Sequence, residues 1–194
     1  MHPKLSGIFI FIIVLATFIT GAITYPQVSD ARLAFGLPVV MLALGGLWAL
    51  LPAIDPVAKG FVGFRYVYDF FWILLIAVLA YSYALKLEQG LGFPVDPLHA
   101  VIPAVGLLVF IAGALLPMIK RNWFFGIRTP WTLLSDEDWN RTHRFGRPVF
   151  MIAGVLIMIG NFTPRAWSIG LIVAPIIVGA IACVVYSYVV YKKG

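Results

Sequence analysis

Charge is what this chain has least of. Asp, Glu, Lys and Arg make up 11% of its 194 residues, against 62% hydrophobic ones. A soluble domain carries roughly 25% charged residues, so the composition excludes an ordinary water-soluble fold and makes lipid the solvent. Acid is scarcer than base, eight Asp+Glu against fourteen Lys+Arg, for a net charge of +6. In a membrane-embedded chain such an excess marks cytoplasmic loops, and no direct contact with nucleic acid is expected. The one cysteine, Cys183, lies in an apolar run, which rules out a disulfide framework and a cysteine-based metal site. The apolar runs also lack titratable groups at their centres, where proton carriers and catalytic carboxylates of membrane proteins usually sit. There is no H-E-x-x-H, no nucleophile with a base and no intramembrane aspartate pair. The histidines, at positions 2, 99 and 143, fall on two sides of the membrane by the topology below and cannot share a metal ion. An enzyme is therefore not expected, nor a cofactor or a bound metal.

What is present is apolar length. Six runs approach the roughly 20 residues that a span needs, at about 5–24, 33–54, 67–85, 98–119, 147–162 and 167–190. The first exceeds the h-region of a signal peptide and has no small-x-small cleavage site after it, so it reads as a retained span. The expected fold is all-α, a single integral membrane domain over 1–194. With both termini inside, eleven basic residues lie on the cytoplasmic side and only Arg32, Lys86 and Arg165 on the other. That bias predicts a multi-pass protein of the cell membrane with both termini in the cytoplasm. The outer connections are short (25–32, 86–97 and 164–166) and punctuated by Pro26, Pro94, Pro97 and Pro164. Gly and Pro inside the spans suit close helix packing and kinks. The exits of spans two and four echo each other, Ala-Leu-Leu-Pro-Ala-Ile at 49–54 and Ala-Leu-Leu-Pro-Met-Ile at 114–119.

One long polar segment interrupts this pattern, Lys120 to Pro148, and it holds six of the fourteen Lys+Arg residues. Gly126 permits a turn, and Pro130 pushes Thr129 toward an extended conformation. Ser135 then reads as an N-cap, with Asp136, Glu137 and Asp138 at the positive end of the helix dipole. A helix over 136–144 puts Trp139 and His143 four apart on one face and Glu137 four residues before Arg141. Gly146 and Pro148 are expected to end it before span five. The plainest expectation is a short amphipathic interfacial helix, with Trp131 and Trp139 as anchors and arginines against anionic membrane lipids. Arg128 fits that picture least, because a forked guanidinium in a constrained turn suits a carboxylate or phosphate. Asp55, Asp69, a C-terminal helix carbonyl or a lipid are its candidate partners. His143, between Arg141 and Arg144, reads as a hydrogen-bonding core residue.

The run Asn122-x3-Gly126-Ile127-Arg128-Thr129-Pro130-Trp131-Thr132-Leu133, followed by Ser135, Trp139, Thr142-His143-Arg144 and Gly146, resembles the signature of the SdpI family. Leu51-Pro52-x-Ile54-Asp55-Pro56 is similar to the family's exit from its second span, and the likeness runs through roughly residues 40–190. These are bacterial multi-spanning proteins named for immunity to a secreted killing peptide, the sporulation-delay toxin. The resemblance implies toxin immunity and signal transduction, with a secreted peptide engaged on the outer side and a transcriptional repressor held at the membrane on the inner side. Many members carry a longer connector between the first two spans, with a Pro- and His-containing pattern; here it is only 25–32. The alternative function is a small membrane transporter or lipid-handling protein with Arg128 and His143 at a head-group or solute site.

Overall fold

In hydrocarbon every backbone N–H and C=O must be satisfied internally, so an apolar run of span length has little choice but to be helical. The computed structural model describes residues 3–57 and 59–193. They form six α-helices: α1 Pro3–Val28, α2 Ala31–Ile54, α3 Lys59–Gly90, α4 Pro97–Leu115, α5 Asp136–Gly160 and α6 Arg165–Lys193, with a 3-10 turn at Leu116–Met118 after α4. All six contain a segment long and apolar enough to cross a membrane, and the described residues include no strand. The all-α, multi-pass expectation holds.

The helices run longer than the apolar runs alone suggest. Pro26, expected in a connection, lies inside α1, which continues to Val28. A proline removes only one N–H from the ladder, and so near a helix end little is lost. The turn is reduced to Ser29, at φ 51°, and Asp30. The Asp30 carboxylate then accepts the amides of Arg32 (2.8 Å) and Leu33 (3.3 Å), an N-cap that starts α2. Asp96 accepts the Leu98 amide at 3.2 Å and starts α4 in the same manner, with Pro97 as its first residue. α3 begins before its apolar run and bends at Phe64 (φ −138°, ψ 20°).

The chain divides into two compact units, Met1–Leu50 with Asp69–Val101, and Leu51–Tyr68 with Ile102–Gly194. In the first, α1 and α2 are tied to α3 at both ends. Asp69, fully buried, accepts from Ser6 Oγ and from Trp48 Nε1, each at 2.9 Å. At the other end Tyr83 donates to the Ala34 carbonyl at 2.7 Å. A Cβ on Gly21 would stand 2.4 Å from that same carbonyl.

In the second unit α4 meets α5 backbone to backbone. A Cβ on Gly154 would lie 2.5 Å from the Phe110 amide nitrogen and 2.6 Å from the Gly106 carbonyl, and one on Gly113 would lie 2.8 Å from the Met151 nitrogen. Such contacts admit only glycine and let dispersion act between main chains, the usual basis of helix association in lipid. α5 packs in turn on α6, with Phe145 and Tyr186 stacked at 4.1 Å between ring centroids.

Candidate functional site

The polar segment resolves into an irregular stretch, residues 119–135, laid against the first turns of α5. The short interfacial helix ending at Gly146 and Pro148 does not exist as a separate element. α5 runs unbroken from Asp136 to Gly160 with Pro148 inside it. The carbonyl that Pro148 leaves without a helical donor belongs to Arg144, which is exposed. That group can be hydrated, so the helix has no need to break. Its beginning follows expectation. Ser135 accepts the Asp138 amide at 3.2 Å, three acids fill the first turn, and Glu137 pairs with Arg141 at 2.6 Å.

Most residues of the patterned run have a structural task. Asn122, fully buried, closes its own turn: its Nδ2 donates to the carbonyls of Lys120 (2.9 Å) and Phe125 (2.8 Å), and its Oδ1 accepts the amides of Phe124 (2.9 Å) and Phe125 (2.6 Å). Only a carboxamide presents two donors and an acceptor in that arrangement. Asn122→Asp, nearly isosteric, would aim a carboxylate oxygen at two carbonyls. We expect a loss of about 3 kcal/mol, read as a lowered melting temperature in detergent and partly recovered in acid, where the protonated carboxyl regains one donor.

His143 is the second knot. Its Nε2 accepts the Ile127 amide at 3.0 Å while its Nδ1 faces the Trp139 carbonyl at 2.8 Å. A carbonyl cannot donate and an amide cannot accept, so the ring is neutral and carries its proton on Nδ1. Trp139 stacks on it at 4.1 Å and donates its indole N–H to the Ile119 carbonyl at 2.8 Å. Both rings are buried, Trp139 to 1% exposure. Trp139 is therefore a core residue and not the interfacial anchor expected of it, because its face of α5 is covered by the stretch that precedes the helix. Gly126 makes that cover possible. It sits at φ 110°, and a Cβ there would lie 2.5 Å from His143 Nε2. Gly146 serves the same fit one turn on, where a Cβ would meet Ile127, Leu116 and Cys183.

Thr129 and Thr132 form a third knot beyond Ile127. Thr132 Oγ1 accepts the Thr129 amide at 2.8 Å and has the Ile127 and Thr129 carbonyls at 3.1 Å. Trp131, half-buried, donates to Ser187 Oγ of α6 at 2.7 Å, and its ring lies 5.3 Å from Tyr188 and 6.0 Å from Tyr191. The tryptophan thus ties the stretch to the last helix. Thr142 is buried on α5, and its hydroxyl has no hydrogen-bond partner among the described residues.

Arg128 does not take a carboxylate. Its guanidinium, exposed, donates to the Trp123 carbonyl at 2.9 Å. Asp55, 4% exposed, grips the same residue from its other end by accepting the Trp123 amide at 2.9 Å. The two candidates meet through the backbone of one residue, Trp123, and not through an ion pair. Asp69 serves Ser6 and Trp48 in the other unit. Arg128, Trp131 and His143 therefore go three ways: to Trp123, to α6 and into the core. Ser187, Ile119 and the backbone role of Asp55 were not signalled by the sequence beyond a serine between two tyrosines of an apolar helix and one acid at a helix exit.

This geometry offers no activated nucleophile, since the imidazole has both nitrogens engaged. Among the described residues no group of three His, Cys, Asp or Glu side chains is placed to hold a metal ion; His2 lies outside them. The segment is a platform, fixed from beneath, whose exposed side chains include Trp123, Arg128, Pro130, Leu134, Arg144 and Arg147.

Comparison with known proteins finds a match that includes this segment. Residues 118–187, from the last residue of the 3-10 turn after α4 to the Ser187 contact, match the SdpI/YfhL protein family. The chain is also 26% identical over 121 residues to the immunity protein SdpI of Bacillus subtilis (strain 168), a match that covers 62% of this chain and 57% of the relative. It thus spans less than two thirds of that relative's length. No solved structure matches. The interlocked platform and the two helices that carry it are the part of this multi-pass membrane protein that matches the SdpI/YfhL protein family.

Proposed function

We propose that the chain is an immunity protein of the SdpI type, protecting a bacterial cell from a secreted antimicrobial peptide. The observation that carries the reading is the match of residues 118–187 to a segment in which nearly every patterned residue is spent on shaping one rigid surface. A surface built this way serves recognition and not turnover. In this reading the peptide is engaged from the outer side, and the platform, with Trp123, Arg128 and Leu134 outward, docks a cytoplasmic repressor. The excess of basic residues on its side supports a cytoplasmic placement, with both termini on that side.

Expression in a strain killed by sporulation-delay-type peptides tests the proposal. Survival should rise with the wild-type chain and fall to the vector level with Asn122→Asp. Unchanged killing across a panel of such peptides would refute immunity. Orientation has its own readout. Leu134, 75% exposed, replaced by Cys in a Cys183→Ala background should react only with thiol reagents that enter the cytoplasm; labelling from outside would reverse the topology.

A further inference from the structure

Arg32 and Lys86 belong to two separate connections in the sequence, one opening α2 and the other in the last turns of α3, and both lie outside the family match. The fold brings them to one cavity of about 350 Å³, whose wall includes Asp30, Leu33, Gly36, Leu37 and Val40. That volume lies in the range of small-molecule sites, roughly 300–1,000 Å³. Neither cation has an acidic or carbonyl partner for its side chain among the described residues. Asp30, the acid present, already has Oδ1 engaged by the amides of Arg32 and Leu33. Two cations against one carboxylate leave one positive charge uncompensated.

The wall is ordered along the helix. The cations stand at the ends of α2 and α3, at head-group depth for helices that cross a bilayer. Leu33, Leu37 and Val40 follow at helical spacing toward the middle of the span, one stripe of α2. Gly36 leaves that stripe open, since a Cβ there would meet nothing within 4 Å. Charge at the end and an aliphatic strip running inward is the layout of a phospholipid. A free anion would use only the first part. Guanidinium and ammonium together suit a phosphodiester, which is itself singly charged.

We propose that Arg32 and Lys86 hold the phosphodiester of a membrane glycerophospholipid, with one acyl chain along Leu33, Gly36, Leu37 and Val40. This site is independent of the immunity reading. The full chain, purified in a neutral maltoside detergent, is titrated with dioleoylphosphatidylglycerol and bound lipid is counted by native mass spectrometry. Wild type should hold one lipid, and inorganic phosphate in millimolar excess should not displace it. The double variant Arg32→Gln/Lys86→Gln and the single variant Gly36→Leu should each bind about tenfold more weakly, near 1.4 kcal/mol, while Arg32→Lys/Lys86→Arg keeps its lipid. Equal binding by either weakened variant overturns the proposal. Displacement by phosphate overturns it too, by making the site one for simple anions. All the exchanged side chains are exposed or enter open space; should one variant fail to fold, the other decides.

Discussion

Alanine in place of Gly126 is expected to unfasten the platform. The backbone there sits at φ 110°, and the new methyl would stand 2.5 Å from His143 Nε2, the atom that accepts the Ile127 amide. Strain of about 1–3 kcal/mol adds to an unsatisfied buried pair costing about 1–3 kcal/mol. The melting temperature in detergent should fall accordingly. Nitrogen NMR of the imidazole supplies a second readout, because a ring that no longer accepts from Ile127 is not held to the Nδ1–H form. A variant that melts like wild type and keeps that tautomer would show that the Ile127–His143 bond does not hold the stretch to α5.

Alanine at Gly154 should cost as much by a different route. The atoms that would meet it belong to the main chain of α4, the nitrogen of Phe110 at 2.5 Å and the carbonyl of Gly106 at 2.6 Å. No rotamer change relieves a backbone contact, so α4 and α5 must separate and lose the packing along their length. About 3 kcal/mol is the expected destabilisation, toward the upper end for an overfilled core. Gly46→Ala is the matched control, because nothing lies within 4 Å of its added carbon. It should match or slightly exceed wild type through the higher helix propensity of alanine. If both variants melted alike, the close crossing of α4 and α5 would be refuted.

Much of this architecture was legible in the chain itself, where local chemistry decides the outcome. Ser135 with three following acids announced the start of α5, and Glu137–Arg141 and Trp139–His143 announced its faces. Apolar length announced the six helices. What was not legible depends on partners distant in sequence. Trp139 looks like an interfacial anchor until Ile119 and Gly126 are laid over it. Arg128 looks like half of an ion pair, yet its partner is a carbonyl that any residue type would supply. Pro148 looks like a stop, but the carbonyl it orphans lies on an exposed turn. Ser187, one of several hydroxyls in α6, gives no sign of receiving Trp131 from 56 positions away.

The continuity of α5 through Pro148 has a mechanical corollary. A helix of 25 residues is a rod of roughly 37 Å, one half amphipathic and gripping the platform, the other half meeting α4 at Gly154. No joint separates the halves. A tilt or slide imposed on the lipid-embedded half is passed along the same helix to the ring of His143, and an object seated on the polar half loads the bilayer half through it. One continuous axle thus joins the polar platform to the apolar span.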